Sequence, residues 1–287
     1  MTLFPYQQKI VDEYEAATAS STRRILIVAP TASGKTHVAA EITKRALENY
    51  KRVLFLAHRN ELLTQARERL AEFGITAGII KAGREKGVRP LAGVQVAGIQ
   101  TLHRRAIQSS IMELPDADIL LVDECHHIRA KTYQALIQKY PNAILIGLTA
   151  TPCRGDGRGL GNCFDLMLQA PQIGELIKLD FLVPMRIFVP KPPDLRGVEV
   201  AKTGDYVISQ LSARVNTDVL VGDVVEHYLR HGERRRAICF AVDRAHSVHL
   251  MREFLKSGVR AEHLDGETKQ ARCNISKAGI GRDQSRL

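Results

Sequence analysis

Ala29-Pro30-Thr31-Ala32-Ser33-Gly34-Lys35-Thr36 starts on the last residue of a short run, Arg24-Ile25-Leu26-Ile27-Val28-Ala29, and precedes a stretch of helical composition over residues 37–50. The preceding run is apolar and β-branched, so it predicts a buried strand. A turn that leaves a buried strand and opens a helix can aim several backbone N–H groups at one anion, at the positive end of the new helix. Gly34 lets the backbone come close to a phosphate, Lys35 carries a point charge to the β/γ-phosphates, and the Thr36 hydroxyl suits Mg²⁺. The strict pattern has glycine at the first position, where this chain has Ala29, so context decides between a nucleotide loop and a chance G-K-T.

Further apolar runs recur at residues 53–57, 94–97, 119–122 and 143–148. Helical periodicity lies between several of them, over residues 59–73, where Leu62, Leu63, Ala66 and Leu70 share a face, and over 131–140. Strand alternating with helix predicts right-handed βαβ crossovers, hence a parallel sheet covered on both faces, with ligands at the carboxyl ends of its strands. The run Ile119-Leu120-Leu121-Val122 stops in Asp123-Glu124-Cys125-His126-His127. Two carboxylates closing a buried strand are costly unless they bind metal or do chemistry. A nucleotide site needs an aspartate for Mg²⁺ and a base or orienter for attacking water; Asp123 suits the first role and Glu124 the second. The structural alternative is an Asp-Glu cap at a strand-to-helix turn.

Upstream, residues 4–19 predict an amphipathic helix on Ile10, Val11 and Tyr14. It is a packing helix unless a nucleotide lies nearby, in which case Gln7 or Gln8 near its start could pair with both a donor and an acceptor on adenine's edge.

Taken in order, these stretches resemble the superfamily 2 DExH-box helicases and translocases found in phage, restriction and repair systems. Asp123-Glu124-Cys125-His126 matches the family's motif II, and residues 29–36 match motif I, which accepts Ala or Gly at its first place. Phe4-Pro5-Tyr6-Gln7 resembles the adenine-reading motif, with Phe4 where Arg is common, which leaves Gln7 as its reader. Leu56-Ala57-His58-Arg59-Asn60-Glu61-Leu62 resembles motif Ia, Gly98-Ile99-Gln100-Thr101-Leu102 motif Ib, and Leu148-Thr149-Ala150-Thr151-Pro152 motif III. The resemblance implies a RecA-like P-loop NTPase domain with ATP and Mg²⁺ as cofactors and Lys35, Asp123 and Glu124 as catalytic residues. It implies nucleotide contacts at Gln7, Thr31, Ala32, Ser33, Gly34, Lys35, Thr36 and Asp123, with Thr36 and Asp123 on the metal. It also implies phosphate contacts to a nucleic-acid strand at Arg59 and Thr101. His126, Thr149 and Thr151 would couple nucleotide state to that strand. A small-molecule kinase built on the same loop would not need the motifs around Arg59, Thr101 and Thr149.

The 287 residues leave room for about two domains, and 45% hydrophobic content fills ordinary cores. Forty-one Lys and Arg against 31 Asp and Glu give a net charge of +10, which favours a polyanionic partner. We expect nucleic acid, DNA ahead of RNA, with room for a protein partner and no membrane. No long apolar run or secretory leader is legible, and Cys125, Cys153, Cys163, Cys239 and Cys273 make no C-x-x-C pair, so the expectation is a cytoplasmic chain with reduced thiols. A zinc site from Cys125, His126, His127 and Cys153 matches no structural zinc spacing.

The second half repeats the α/β pattern. The first RecA-like, ATP-binding domain is expected over residues 1–184, a connecting segment over 185–216, and a partial second RecA-like domain with an irregular tail over 217–287. Within the last, residues 217–230 predict a helix ended by Gly232, Asp243 caps a helix running through Leu255, and residues 237–242 and 261–266 predict strands. In the resemblance, Phe240 falls in motif IV. Residues 154–161 predict a glycine-rich surface loop. Only 21 residues follow Gly266, and Gly281-Arg282-Asp283-Gln284-Ser285-Arg286 misses the family's G-R-x-x-R arginine-finger spacing by one. The expectation is therefore a helicase by ancestry that binds Mg-ATP but hydrolyses it poorly. The alternative is an ATP-binding module without motor activity that acts through a partner.

Overall fold

The computed structural model describes residues 2–58, 60–82, 92–153, 157, 159–189, 192–201 and 204–268. The chain divides into two units, Met1–Pro184 and Met185–Leu287.

The first unit is built on strands β1 (Arg24–Val28), β2 (Val53–Ala57), β3 (Ala77–Ile80), β4 (Val94–Gly98), β5 (Ile119–Asp123), β6 (Ile144–Thr149) and β7 (Leu166–Gln169). They form one sheet in the order β3-β4-β2-β5-β6-β1-β7, and every pairing is parallel. Strand β2 is buried at all five positions, as a strand covered on both faces must be. The residues alternate between the faces. Ile25, Ile27, Phe55, Ile119, Leu121 and Ile146 meet helices α1 (Pro5–Ala19), α2 (Lys35–Glu48) and α3 (Asn60–Glu72) through Ile10, Val11, Val38, Ile42, Leu63 and Leu70. Leu26, Val28, Leu54, Leu56, Leu120, Val122 and Leu145 meet α4 (Ile99–Leu102) and α5 (Lys131–Ile137) through Ile99, Leu102, Tyr133 and Leu136. Gly147 in β6 has no alternative: a Cβ there would lie 2.4 Å from Phe164 Cζ and 2.8 Å from Cys125 Sγ.

The parallel α/β class and all five expected strands agree with the sequence reading to within a residue, β2 without change. Strands β3 and β7 were not expected. Each has four residues, β3 carries a glycine, and neither shows enough apolar residues to stand out before a neighbour pairs with it. A short α6 (Ile173–Lys178) closes the unit. Among the described residues no helix is long and apolar enough to cross a membrane.

The second unit contains helices α7 (Ile208–Val215), α8 (Asp218–His231) and α9 (Arg244–Lys256). Thr217 caps α8, its Oγ1 accepting from Leu220 N at 3.4 Å, and Gly232 follows the last turn. Asp243 caps α9, its Oδ1 accepting from His246 N at 2.8 Å. The strands expected over residues 237–242 and 261–266 do not form: both stretches lie outside any sheet, and Phe240 is 89% exposed. A strand exists only through its neighbour's hydrogen bonds, and the described residues of this unit supply a single antiparallel bridge, Val200 with Tyr206. Its buried apolar residues are Val221, Val225 and Leu250 alone among those described.

Candidate active site

Strand β1 ends at Val28, and Ala29 N donates to Thr149 O at 3.0 Å, so the loop leaves the sheet still tied to the end of β6. The turn closes on Pro30 O, which accepts from Ser33 N at 3.2 Å and from Ser33 Oγ at 2.6 Å. Ala32 and Gly34 take φ of 66° and 78°. A Cβ on Gly34 would fall 2.3 Å from Gln7 Nε2 and 3.3 Å from His37 Nδ1, so glycine is required both for its backbone angle and for the space. Helix α2 begins at Lys35 with neither a side-chain cap nor an acidic residue in its first turn among the described residues, which points its first N–H groups and its positive end at the loop. Thr31 and Ala32 are exposed, Ser33 is buried, and Lys35 and Thr36 are half-buried.

Helix α1 braces this loop from behind. Tyr6 Oη donates to Ser33 O at 2.7 Å, and Gln7 Nε2 donates to the same oxygen at 3.0 Å. Gln7 Oε1 accepts from Phe4 N at 3.0 Å, and the side chain is only 2% exposed. Phe4 and Tyr6 both pack on Phe181, with ring centroids 4.7 and 5.2 Å apart.

The acidic pair lies two strands away, at the end of β5. Asp123 Oδ1 accepts from Glu124 N at 3.0 Å. Burial pushes the Asp123 carboxyl above its usual range, and the neighbouring Glu124 carboxylate adds to that. The Glu124 N–H, Lys35 and His126 pull it partly back. Glu124 itself sits in the left-handed region, φ 49° and ψ 50°, a conformation that costs a non-glycine residue about 1 kcal/mol or more. The turn aims its carboxylate at the loop: Oε1 is 4.0 Å from Lys35 Nζ, and Oε2 is 3.3 Å from His126 Nδ1.

The described residues hold no cluster of three or more His, Cys, Asp or Glu able to cage a metal. Magnesium in nucleotide sites uses one or two carboxylates and a hydroxyl, with substrate phosphates completing the sphere. Asp123, with one oxygen already held by backbone, and Thr36 at the start of α2 fit that donor set. Cys125, Cys153, Cys163 and Cys239 are free thiols.

Lys35, Asp123, Glu124 and His126 thus come together, with Gln7 joined through Ser33 and Thr149 through Ala29. Thr149 is fully buried, and its Oγ1 donates to Thr151 O at 2.9 Å and accepts from Thr151 N at 3.2 Å, which holds the start of the exposed loop at Thr151. Thr101 lies after β4, on the same edge of the sheet but away from the phosphate loop, with its Oγ1 3.3 Å from where a Cβ on Gly98 would sit. Arg59, residues 154–156 and 158 of the glycine-rich loop, Pro190 and Lys191, and the stretch bearing Arg282 and Arg286 lie outside the described residues.

The sequence reading gave no role to Phe181, and it named Tyr6, His58 and His127 only within longer motifs or the zinc alternative, without a role of their own at this site. Tyr6 was legible as a neighbour of Gln7 and His127 as a neighbour of His126; Phe181 and His58 are distant in sequence, and the fold brings them there.

A family model described as "Type III restriction enzyme, res subunit" matches residues 1–154. A 51.5 kDa protein of Lactococcus phage (isolate 7-9) is 30% identical over 243 residues, covering 85% of this chain and 49% of that protein. The DNA 3'-5' translocase XPB2 of Sulfurisphaera tokodaii is 31% identical over 137 residues, covering 47% of this chain and 29% of the translocase. The helicase domain of Hef from Pyrococcus furiosus superposes with a TM-score of 0.49 at 18% identity, over 94% of this chain and 55% of that one. The chain spans half or less of the length of the curated relatives it matches.

Proposed function

The chain belongs to the family of the type III restriction enzyme res subunit, within the superfamily 2 helicases, and from that premise we propose that it is a nucleic-acid-dependent ATPase that binds Mg-ATP between the ends of β1 and β5. One observation carries the proposal: Lys35 Nζ stands 4.0 Å from Glu124 Oε1, so the cation of the loop and the carboxylate after β5 already share one site. In the mechanism proposed, the first turn of α2 and Lys35 hold the phosphates. As phosphate draws Lys35 away, the Glu124 carboxylate is released to orient and deprotonate the attacking water. Asp123 and Thr36 would hold Mg²⁺, which supplies charge neutralisation on the phosphate oxygens. Thr31, Ala32, Ser33 and Gly34 line the phosphates, and Gln7 exchanges part of its grip on Ser33 and Tyr6 for the adenine edge. His126, Thr149 and Thr151 relay the state of this site to a strand held at Arg59 and Thr101.

We take DNA as that strand, which is supported by the DNA translocase among the relatives and by the net charge of +10. The domain boundaries proposed are 1–184 for the ATP-binding domain, 185–216 for the connection and 217–287 for a partial second RecA-like domain. Hydrolysis by this chain is slow in this reading, because an arginine finger contributes about 10³–10⁵ in rate and the spacing of residues 281–286 does not match one.

A titration with a non-hydrolysable ATP analogue and Mg²⁺ tests the site. Binding should saturate, weaken by about tenfold or more in Lys35→Ala, and stay within about twofold in Glu124→Gln. Unchanged affinity in Lys35→Ala would overturn the assignment. ATP turnover with single-stranded DNA should be slow, and vigorous turnover dependent on both Lys35 and Glu124 would sink the slow-motor part of the proposal.

A further inference from the structure

Beyond the groups proposed to touch nucleotide, three histidine rings lie in a row at the carboxyl edge of the sheet, each tilted against the next. His126 and His127 have ring centroids 4.1 Å apart at 50°, and His127 and His58 have centroids 5.3 Å apart at 35°. The row crosses between neighbouring strands, since His58 follows the last residue of β2 and His126 and His127 follow β5, the strand that pairs with it through Leu56 and Val122. Its inner end meets the Glu124 carboxylate. His126 Nδ1 is 3.3 Å from Glu124 Oε2, yet it is a buried nitrogen whose direction misses a hydrogen bond. Its outer end stands one residue before Arg59.

A buried nitrogen 3.3 Å from a carboxylate and out of line with it sits where a small ring rotation makes or breaks a charge-assisted hydrogen bond. The ring of His127 packs against that of His126, with centroids 4.1 Å apart, and so bears on that rotation. We propose that His127 is a positioning residue for Glu124: held between His126 and His58, its ring sets the angle at which the His126 imidazole meets the carboxylate and ties that angle to the loop after β2. The inference rests on the ATPase reading. When phosphate takes Lys35 from Glu124, His126, already the nearer of the two at 3.3 Å, is left to pair with the carboxylate, and its ring turns into line as a donor. His127 follows through its ring contact, and His58 follows His127. The same path in reverse lets a strand held at the loop after β2 adjust Glu124, as reciprocal coupling requires.

Both His58 and His127 are exposed, so replacing either removes no core contact and the variants should fold. The test uses the full chain with ¹³C-labelled histidine rings, Mg²⁺ and a non-hydrolysable ATP analogue. His37 reports occupancy of the loop, because its Nδ1 lies 3.3 Å from where a Cβ on Gly34 would sit. In the wild type, saturation should shift the ring signals of both His37 and His58. In His127→Ala the His37 signal should still shift and the His58 signal should not, with nucleotide affinity within about twofold. In His127→Phe, which keeps a ring to pack on, the His58 response should return. A His58 response that survives in His127→Ala overturns the proposal. So does a wild type in which His37 moves and His58 does not. A loss of affinity of about tenfold or more in His127→Ala also overturns it, since the ring would then act as a ligand. If neither signal moves in the wild type, no nucleotide is bound and the ATPase reading falls, taking this inference with it.

Discussion

Gly34 answers to two constraints that act through different atoms. Its φ of 78° belongs to the left-handed region, and a Cβ would press on Gln7 Nε2 at 2.3 Å. Gly34→Ala should therefore weaken Mg-nucleotide binding by about tenfold or more and destabilise the fold by about 1 kcal/mol or more. In calorimetric titrations, adding Gln7→Ala should recover only part of the loss, because it relieves the contact and leaves the backbone angle. Asp123 has the opposite balance. Burial raises its carboxyl above the usual range, so folding favours the protonated form and the ionised form burdens the folded state. That burden is absent below the ordinary carboxylate value and grows as pH rises through the elevated folded value. Asp123→Asn should melt higher than wild type at neutral pH, by about 2–4 °C per kcal/mol of relieved desolvation. The difference should shrink toward acid pH, and Mg-nucleotide should no longer raise the melting temperature. A variant that melts lower at neutral pH and keeps the nucleotide response would contradict this account.

At the scale of elements, caps were easier to read than strands. Gly232 and Asp243 occupy the positions expected of them, and Thr217, expected as the first residue of its helix, caps it instead, because a cap needs only its own few residues. Asp243 accepts from His246 N at 2.8 Å, whereas the Thr217 contact is longer at 3.4 Å. Replacing Asp243 by Ala should cost about 1 kcal/mol, seen as a rise of about fivefold in hydrogen exchange at the first amides of α9, with a smaller rise in α8 for Thr217→Ala. The expected strand over residues 237–242 has apolar, β-branched composition like β1, yet Ile238 is 62% and Phe240 89% exposed. Composition nominates a strand, and a paired neighbour makes one, as β6 and β7 do for β1. The same logic hid β3 and β7, which four-residue sequences could not announce.

Across the molecule, the two units differ in how much they bury. The first carries hydrophobic clusters on both faces of a seven-stranded sheet; the described part of the second buries Val221, Val225 and Leu250. Val183, Met185, Ile187 and Val189 are each more than 70% exposed where the units meet in sequence. Limited proteolysis of the native chain should cut first between residues 183 and 207 and leave a fragment of about residues 1–184 that still binds Mg-nucleotide. A stable product that retains residues 1–268 intact under conditions that nick other loops would argue against that difference. Much of the site was legible in the sequence. The loop, the acidic pair and the threonines after β6 each lie at the end of an apolar run, and a parallel sheet places all such ends on one edge.

The sequence by itself therefore determined the fold class and the sheet edge on which the candidate residues gather, and it nominated Lys35, Asp123 and Glu124 among them. Local periodicity and loop chemistry carry that information without long-range contact. Only the tertiary structure decided that Glu124 turns toward Lys35, that Gln7 and Tyr6 brace Ser33, and that His58, His127 and His126 lie in a row. The first and the last of these depend on the order β3-β4-β2-β5-β6-β1-β7, which places the ends of β1, β2 and β5 along one edge. It is also the structure that withholds a sheet from residues 237–242, because a strand is a property of a pair.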